Sequence, residues 1–214
     1  YKGEQDGLHT RVFLNSAGLP TYEAKDLGLA LAKWRDYSFD KSFMITGNDI
    51  IEYMKVVMAA LKHFNPEIAE RTNHVTHGQI KLAGGVKMSS RKGNVLMAQD
   101  VLDAASEAHK QAVGSEDKAV VLGAVKYAFL KSRIGGDIIY DPAESVSLLG
   151  NSGPYLQYAH ARAHSILIKA AYQPVAGLPE VIEGDEIVLA KKIAAFPDVM
   201  RTAVDTLMPH HICS

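Results

Sequence analysis

The sequence predicts an α/β unit followed by an all-helical region, and three observations carry that prediction. In the first part of the chain, short apolar runs of strand length alternate with amphipathic runs of helix length, the order of a parallel, doubly wound sheet. In the second part the strand-like runs stop, and helical stretches are separated by linkers holding Gly135-Gly136, Pro142, Gly150, Pro174, Gly177 and Pro179. The composition is that of a globular protein: 214 residues, 47% hydrophobic and 22% charged, enough for one large or two modest domains with real cores. The change of character falls near 141–150, which divides the chain into 1–143 and 144–214.

Taken in order, Arg11-Val12-Phe13-Leu14-Asn15 reads as a short strand, and Ser16-Ala17-Gly18-Leu19-Pro20 as the turn that closes it. Thr21 is then a helix N-cap. Leu27, Leu31 and Trp34 recur at helical spacing and predict a helix over 22–35. Residues 42–46 read as a buried strand ending at Gly47-Asn48-Asp49. A long amphipathic helix follows over 50–64 and stops at Asn65-Pro66, because the residue before a proline avoids the helical region. Residues 74–82 alternate weakly and read as one strand, with Gly84-Gly85 turning into Val86-Lys87-Met88. An apolar, helix-like run begins at Val95, and helices are predicted over 99–109, 118–133, 153–170 and 185–200. Ligands of such sheets bind beyond the carboxyl ends of the strands. Gly47-Asn48-Asp49 and the Lys87 stretch occupy such positions.

Charge and cysteine usage narrow the function classes. The net charge is −1, so any nucleic-acid contact must come from local patches. The single Cys213 excludes an internal disulfide framework and fits a reducing, cytoplasmic compartment. No apolar run is long enough to span a membrane, and no signal peptide is recognised. No metal site is expected. The chain begins with Tyr1 and stops in His211-Ile212-Cys213-Ser214, so both ends are expected to be cut from something longer.

The densest chemistry lies in Lys87-Met88-Ser89-Ser90-Arg91-Lys92-Gly93-Asn94. Cations, hydroxyls and a glycine in one loop can hold a polyanion, with N–H and O–H groups donating to phosphate oxygens and Lys or Arg neutralising charge. The same composition also suits a solvated basic turn. The wording resembles the KMSKS signature loop of class I aminoacyl-tRNA synthetases, in the form K-M-S-x-R-K-G-N. It departs from that consensus at Ser90, where the second lysine stands in the family. The resemblance implies catalytic roles for Lys87, Ser89, Arg91 and Lys92, with the missing lysine's load passing to Lys87, Arg91 or Lys92.

Tyr22 and Asp26 are four residues apart and share a helix face. They read either as a core ring with a dipole-favouring carboxylate, or as a pocket for a planar cation, since a carboxylate takes a guanidinium through two parallel hydrogen bonds. Gly18-Leu19-Pro20-Thr21-Tyr22 followed by Asp26-Leu27-Gly28 resembles the arginyl-tRNA synthetase pattern G-x-x-T-Y-x-x-x-D. In that family the tyrosine and aspartate contact the side chain of the arginine substrate. Asn48 and Asp49 match the place where the family closes that pocket, and read equally as a strand end with an Asp N-cap. Ile50 and Ile51 replace the family's frequent histidine. His77-Gly78 matches a position near the adenine, which with Lys87 and Met88 gives an implied ATP site; a strand histidine is also an ordinary structural residue.

Gly153-Pro154-Tyr155-Leu156-Gln157-Tyr158-Ala159-His160-Ala161-Arg162 resembles the G-P-Y-x-Q-Y-A-x-A-R entry helix of the same family's anticodon-binding bundle. Pro154 suits a first helical turn. Tyr155, Tyr158, Arg162 and Ser165 form one stripe, open to two uses: packing on the catalytic domain, or contact with tRNA by stacking and phosphate contacts, where Tyr158 and Arg162 are the candidates. Together the motifs imply the C-terminal part of a Rossmann-like class I catalytic domain, 1–143, and the start of a helical anticodon-binding domain, 144–214. They imply arginine, ATP with accompanying Mg2+, and tRNA as partners, and a monomer is expected. The family's H-I-G-H tetrapeptide does not occur in this sequence, so residues 1–214 alone are expected to be inactive. A class I lysyl-type synthetase and a non-enzymatic tRNA-binding module are the alternatives.

Overall fold

The computed structural model describes residues 1–83, 97–171, 173, 177 and 183–213; the basic stretch 87–94 lies outside the described residues. The chain divides into two compact units, Tyr1–Gln79 and Ile80–Ser214.

In the first unit a 3-10 turn, Gly3–Asp6, precedes the segment predicted as a strand over 11–15. That segment forms an isolated antiparallel bridge between Leu14 and Pro20 rather than a strand. The reason is local. The Asn15 carboxamide oxygen accepts the N–H groups of Ala17 and Leu19, each at 2.9 Å, and Gly18 takes φ +74, so the backbone is satisfied within its own turn. Thr21 stands at the N-cap position, but its hydroxyl donates back to the carbonyls of Val12 and Phe13 instead of capping.

Helix α1 spans Tyr22–Tyr37. Leu27 and Ala30 are buried against α2 (Ile51–Phe64), whereas Leu31, at the predicted spacing, is exposed. Strand β1 (Ser42–Gly47) pairs in parallel with β2 (Thr72–His77), in register from Ser42↔Thr72 to Gly47↔His77. Between them run a 3-10 turn, Asn48–Ile50, then α2 and α3 (Pro66–Arg71), a complete crossover unit. Helix α3 is unforeseen in the sequence pattern: Asn65-Pro66 ends one helix and also starts the next, with the Asn65 side chain accepting the Ile68 N–H at 3.1 Å. The core gathers Leu27, Ala30, Val57, Ala60, Leu61 and Ile68, each large member worth about 1.5–3 kcal/mol by burial. The strand predicted as buried is only half so. Phe43 and Ile45 lie exposed on one face of β1, because alternate side chains of a strand point to opposite faces.

The single strand predicted over 74–82 is two strands in two different sheets. Strand β2 ends at His77, and β3 (Ile80–Leu82) pairs in parallel with β4 (Ile138–Tyr140) in the second unit. The same unit holds α4 (Ala98–Val113) and α5 (Lys118–Leu130), which pack on that pair, then α6 (Pro142–Ser145), α7 (Gly153–Lys169), which packs on α5, and α8 (Gly184–Thr206). The α5 helix stops before the predicted end at 133, and α8 runs beyond the predicted end at 200, through Pro197. Asp117, Asp141 and Ser152 cap α5, α6 and α7 through side-chain oxygens that accept first-turn N–H groups. Val101, Ala105, Val121, Val125 and Ala128 close over Tyr140, whose ring meets Phe129 edge-on at 5.5 Å.

Candidate functional site

Because Gly47 and His77 are register partners, the carboxyl ends of β1 and β2 bring Asn48 and Asp49 beside His77 and Gly78. Two stretches far apart in sequence thus meet at the edge where parallel sheets bind ligands. The Asp49 carboxylate folds back over Gly47, where a Cβ would collide with it, so the position demands glycine or a displaced Asp49. His77 Nδ1 donates to the Gly78 carbonyl at 2.9 Å from an exposed ring. Within the strands, His74 Nε2 lies 2.8 Å from the Thr46 hydroxyl, and burial holds the His74 pKa below its ordinary value.

Tyr22 and Asp26 lie in the first turns of α1. The Tyr22 ring is 78% exposed, with Lys25 Nζ 5.5 Å from its centroid. Asp26 is half-buried, and the Tyr53 hydroxyl donates to its Oδ2. Tyr53 stands in the first turn of α2, directly after Asn48–Ile50, so one helix start serves both the strand edge and Asp26. Burial, and then the bond to Asp26 and its charge, push the Tyr53 pKa up; the phenol stays a donor. The Arg11 guanidinium lies 5.3 Å over the Tyr53 ring and donates to the buried Glu23 at 3.2 Å. Burial pushes the Glu23 pKa up, but hydrogen bonds from its own backbone, from the Thr21 side chain and from Arg11 outweigh that and hold it below the ordinary 4.5.

Sequence reasoning missed Arg11, Glu23 and Tyr53. Glu23 lies between the matched tyrosine and aspartate, and a charged residue on the inner face of a predicted helix was the available signal.

On α7, Tyr158 and Arg162 are exposed and one turn apart. The buried first turn, Gly153-Pro154, carries the packing instead, against α5. His160 and His164 also stand at i,i+4 with rings stacked at 6.2 Å, a pair that the expectation of no metal site overlooked. Among the described residues no group of three or more His, Cys, Asp or Glu gathers as metal ligands, and no helix is long and apolar enough to cross a membrane.

The family model for the catalytic domain of class I tRNA synthetases (R) matches residues 6–142. The chain belongs to that family. The DALR anticodon binding domain model matches 156–214, so the fold is a class I synthetase catalytic domain followed by a DALR helical domain. An arginine–tRNA ligase of Flavobacterium psychrophilum is 32% identical over 220 residues, covering 96% of this chain and 36% of that protein. One of Clostridium perfringens is 30% identical over 211 residues, covering 92% of this chain and 37% of that protein. The chain therefore spans little more than a third of these class I relatives. Among solved structures, Thermus thermophilus arginyl-tRNA synthetase superposes with a TM-score of 0.78 at 25% identity, over 95% of this chain and 40% of that one.

Proposed function

We propose that this chain is the part of an arginyl-tRNA synthetase that recognises the arginine side chain and carries the signature loop. The boundary between its catalytic part, 1–143, and its anticodon-binding part, 144–214, is part of the same proposal. The whole protein would join arginine to ATP and then pass the arginyl group to the 3′ end of its tRNA, in the cytoplasm. In the first step an arginine carboxylate oxygen would attack the α-phosphorus of ATP in line; an oxygen–phosphorus bond would form, the α–β bridging bond would break, and pyrophosphate would leave, with Mg2+ accompanying ATP to offset its charge. Lys87, Ser89, Arg91 and Lys92 would stabilise the charge that develops on the triphosphate, and His77, Gly78 and Met88 would border the nucleotide. Asn48 and Asp49 would close the arginine pocket, and Tyr158 and Arg162 would meet tRNA. Such catalysis is positioning and electrostatics without a covalent enzyme intermediate.

The observation that carries the proposal is the half-buried Asp26 carboxylate on α1, held by a phenol and one turn from the exposed Tyr22 ring. A planar cation fits between such groups. The names of the relatives support arginine as that cation. The test is arginine-dependent pyrophosphate exchange by the full-length protein with tRNA present. Asp26→Asn keeps the shape and removes the charge, and is expected to cost about 1.5–3 kcal/mol of arginine binding, a roughly ten- to hundredfold rise in arginine KM. An unchanged KM removes Asp26 from the pocket, and exchange driven by lysine instead of arginine overturns the substrate.

A further inference from the structure

We infer that Tyr53 is a specificity-determining positioning residue: its hydroxyl holds the Asp26 carboxylate in the plane that a guanidinium needs. The inference rests on the proposal that Asp26 takes the arginine side chain. Two parallel hydrogen bonds form only if the carboxylate plane is set, and a half-buried aspartate on a helix surface is free to turn about its side-chain bonds. The Tyr53 hydroxyl donates to Oδ2. Each carboxylate oxygen offers two lone pairs, so among the described residues Oδ2 keeps one and Oδ1 keeps both for a ligand.

Tyr53 is itself held. Its ring packs on the cluster of Leu27, Val57 and Leu61. Arg11 covers the ring at 5.3 Å and is anchored on Glu23 at 3.2 Å. Glu23 and Asp26 lie three residues apart on α1, so the relay Glu23–Arg11–Tyr53–Asp26 begins and ends on one helix. The protein's own guanidinium occupies a face of Tyr53, which leaves Tyr22 as the exposed ring beside Asp26. An oriented carboxylate favours the planar fork of arginine over the point charge of lysine. Tyr53 thus acts on selectivity and not on the phosphate chemistry.

The experiment uses four full-length proteins: wild type, Tyr53→Phe, Asp26→Asn and the double variant, each assayed by tRNA-dependent pyrophosphate exchange with arginine and ATP varied in turn. Phenylalanine keeps the ring, its core packing and the face under Arg11, and loses only the hydroxyl. Tyr53→Phe is expected to raise the arginine KM about five- to tenfold with the ATP KM unchanged, and to narrow the preference for arginine over lysine as competitor. The double variant is expected to match Asp26→Asn alone, because the hydroxyl acts through the carboxylate. A wild-type arginine KM in Tyr53→Phe, an equal rise in both KM values, or multiplying effects in the double variant overturns the inference while the pocket stands. A silent Asp26→Asn instead removes the pocket, and the inference with it.

Discussion

Two helix pairs in this protein are held by opposite means. Helices α1 and α2 of the first unit meet over aliphatic side chains, and at their amino ends through Glu23, Arg11, Tyr53 and Asp26. Helices α5 and α7 of the second unit meet backbone to backbone: a Cβ at Gly153 would overlap the Gly123 carbonyl oxygen, and the space above Gly123 is filled by Gln157 Nε2, which would lie 2.6 Å from a Cβ there. The difference follows from what each place must do. On the proposed reading, the first place has to keep the Asp26 carboxylate oriented yet reachable, which long polar side chains held by one another would do. A joint between helices has to be unique, and close backbone approach admits few alternative packings.

The largest expected effect breaks the second pair. Gly153→Val forces the helices apart and should cost about 3 kcal/mol, read as a lower urea midpoint at unchanged slope, with arginine binding by the full-length protein unaltered. A midpoint equal to wild type would show that α5 and α7 tolerate separation.

A smaller effect sharpens the first pair. The folded-state pKa of Glu23 is depressed below its ordinary 4.5, so its stabilising contribution is present above that value and is lost as the pH falls through the folded pKa. Glu23→Gln should lower the melting temperature at pH 7 by the equivalent of no more than about 1 kcal/mol. The gap between variant and wild type should close as the pH falls through the depressed folded pKa of Glu23. A gap that persists in acid would assign the loss to packing rather than charge.

The smallest effect returns to the joint. Gln157 Nε2 donates to the Ala119 carbonyl at 3.2 Å from an exposed position, and Gln157→Ala should cost about 0.5–1 kcal/mol in the same urea measurement. A loss as large as that of Gly153→Val would move the weight of the crossing from the glycines to this side chain.

Much of this organisation is legible before any coordinates. The helices from 22, 50, 118 and 153 are signalled by apolar spacing and, at 153, by Pro154 in the first turn, because a helix is satisfied within a few residues of itself; the caps expected at Thr21 and Asp49 do not form. The turn at 16–20 follows from Gly18 and Pro20 for the same reason, although the strand expected before it does not form and Asn15, read as strand, closes the turn instead. Strand ends are less legible. Residues 74–82 carry one weak alternation, and the break at Gly78-Gln79 depends on pairing with Ser42–Gly47 on one side and Ile138–Tyr140 on the other.

The candidate site divides in the same way. Spacing alone leaves Tyr22 and Asp26, the stretch 87–94, and Tyr158 and Arg162 each open between a structural and a functional use, and it is the resemblance to a family that proposes their chemistry. The family that the motifs resemble is the family whose model matches the chain. Only the tertiary structure decides that Tyr53, 27 residues from Asp26, supplies its hydrogen-bond donor, and that Arg11 reaches across 12 residues to Glu23. It also decides that Gly123 is the surface on which Gly153 rests. The physical reason is range. Periodicity, capping and turn chemistry are settled among near neighbours, whereas which distant polar groups share a pocket, and which backbones touch, depend on how whole elements pack.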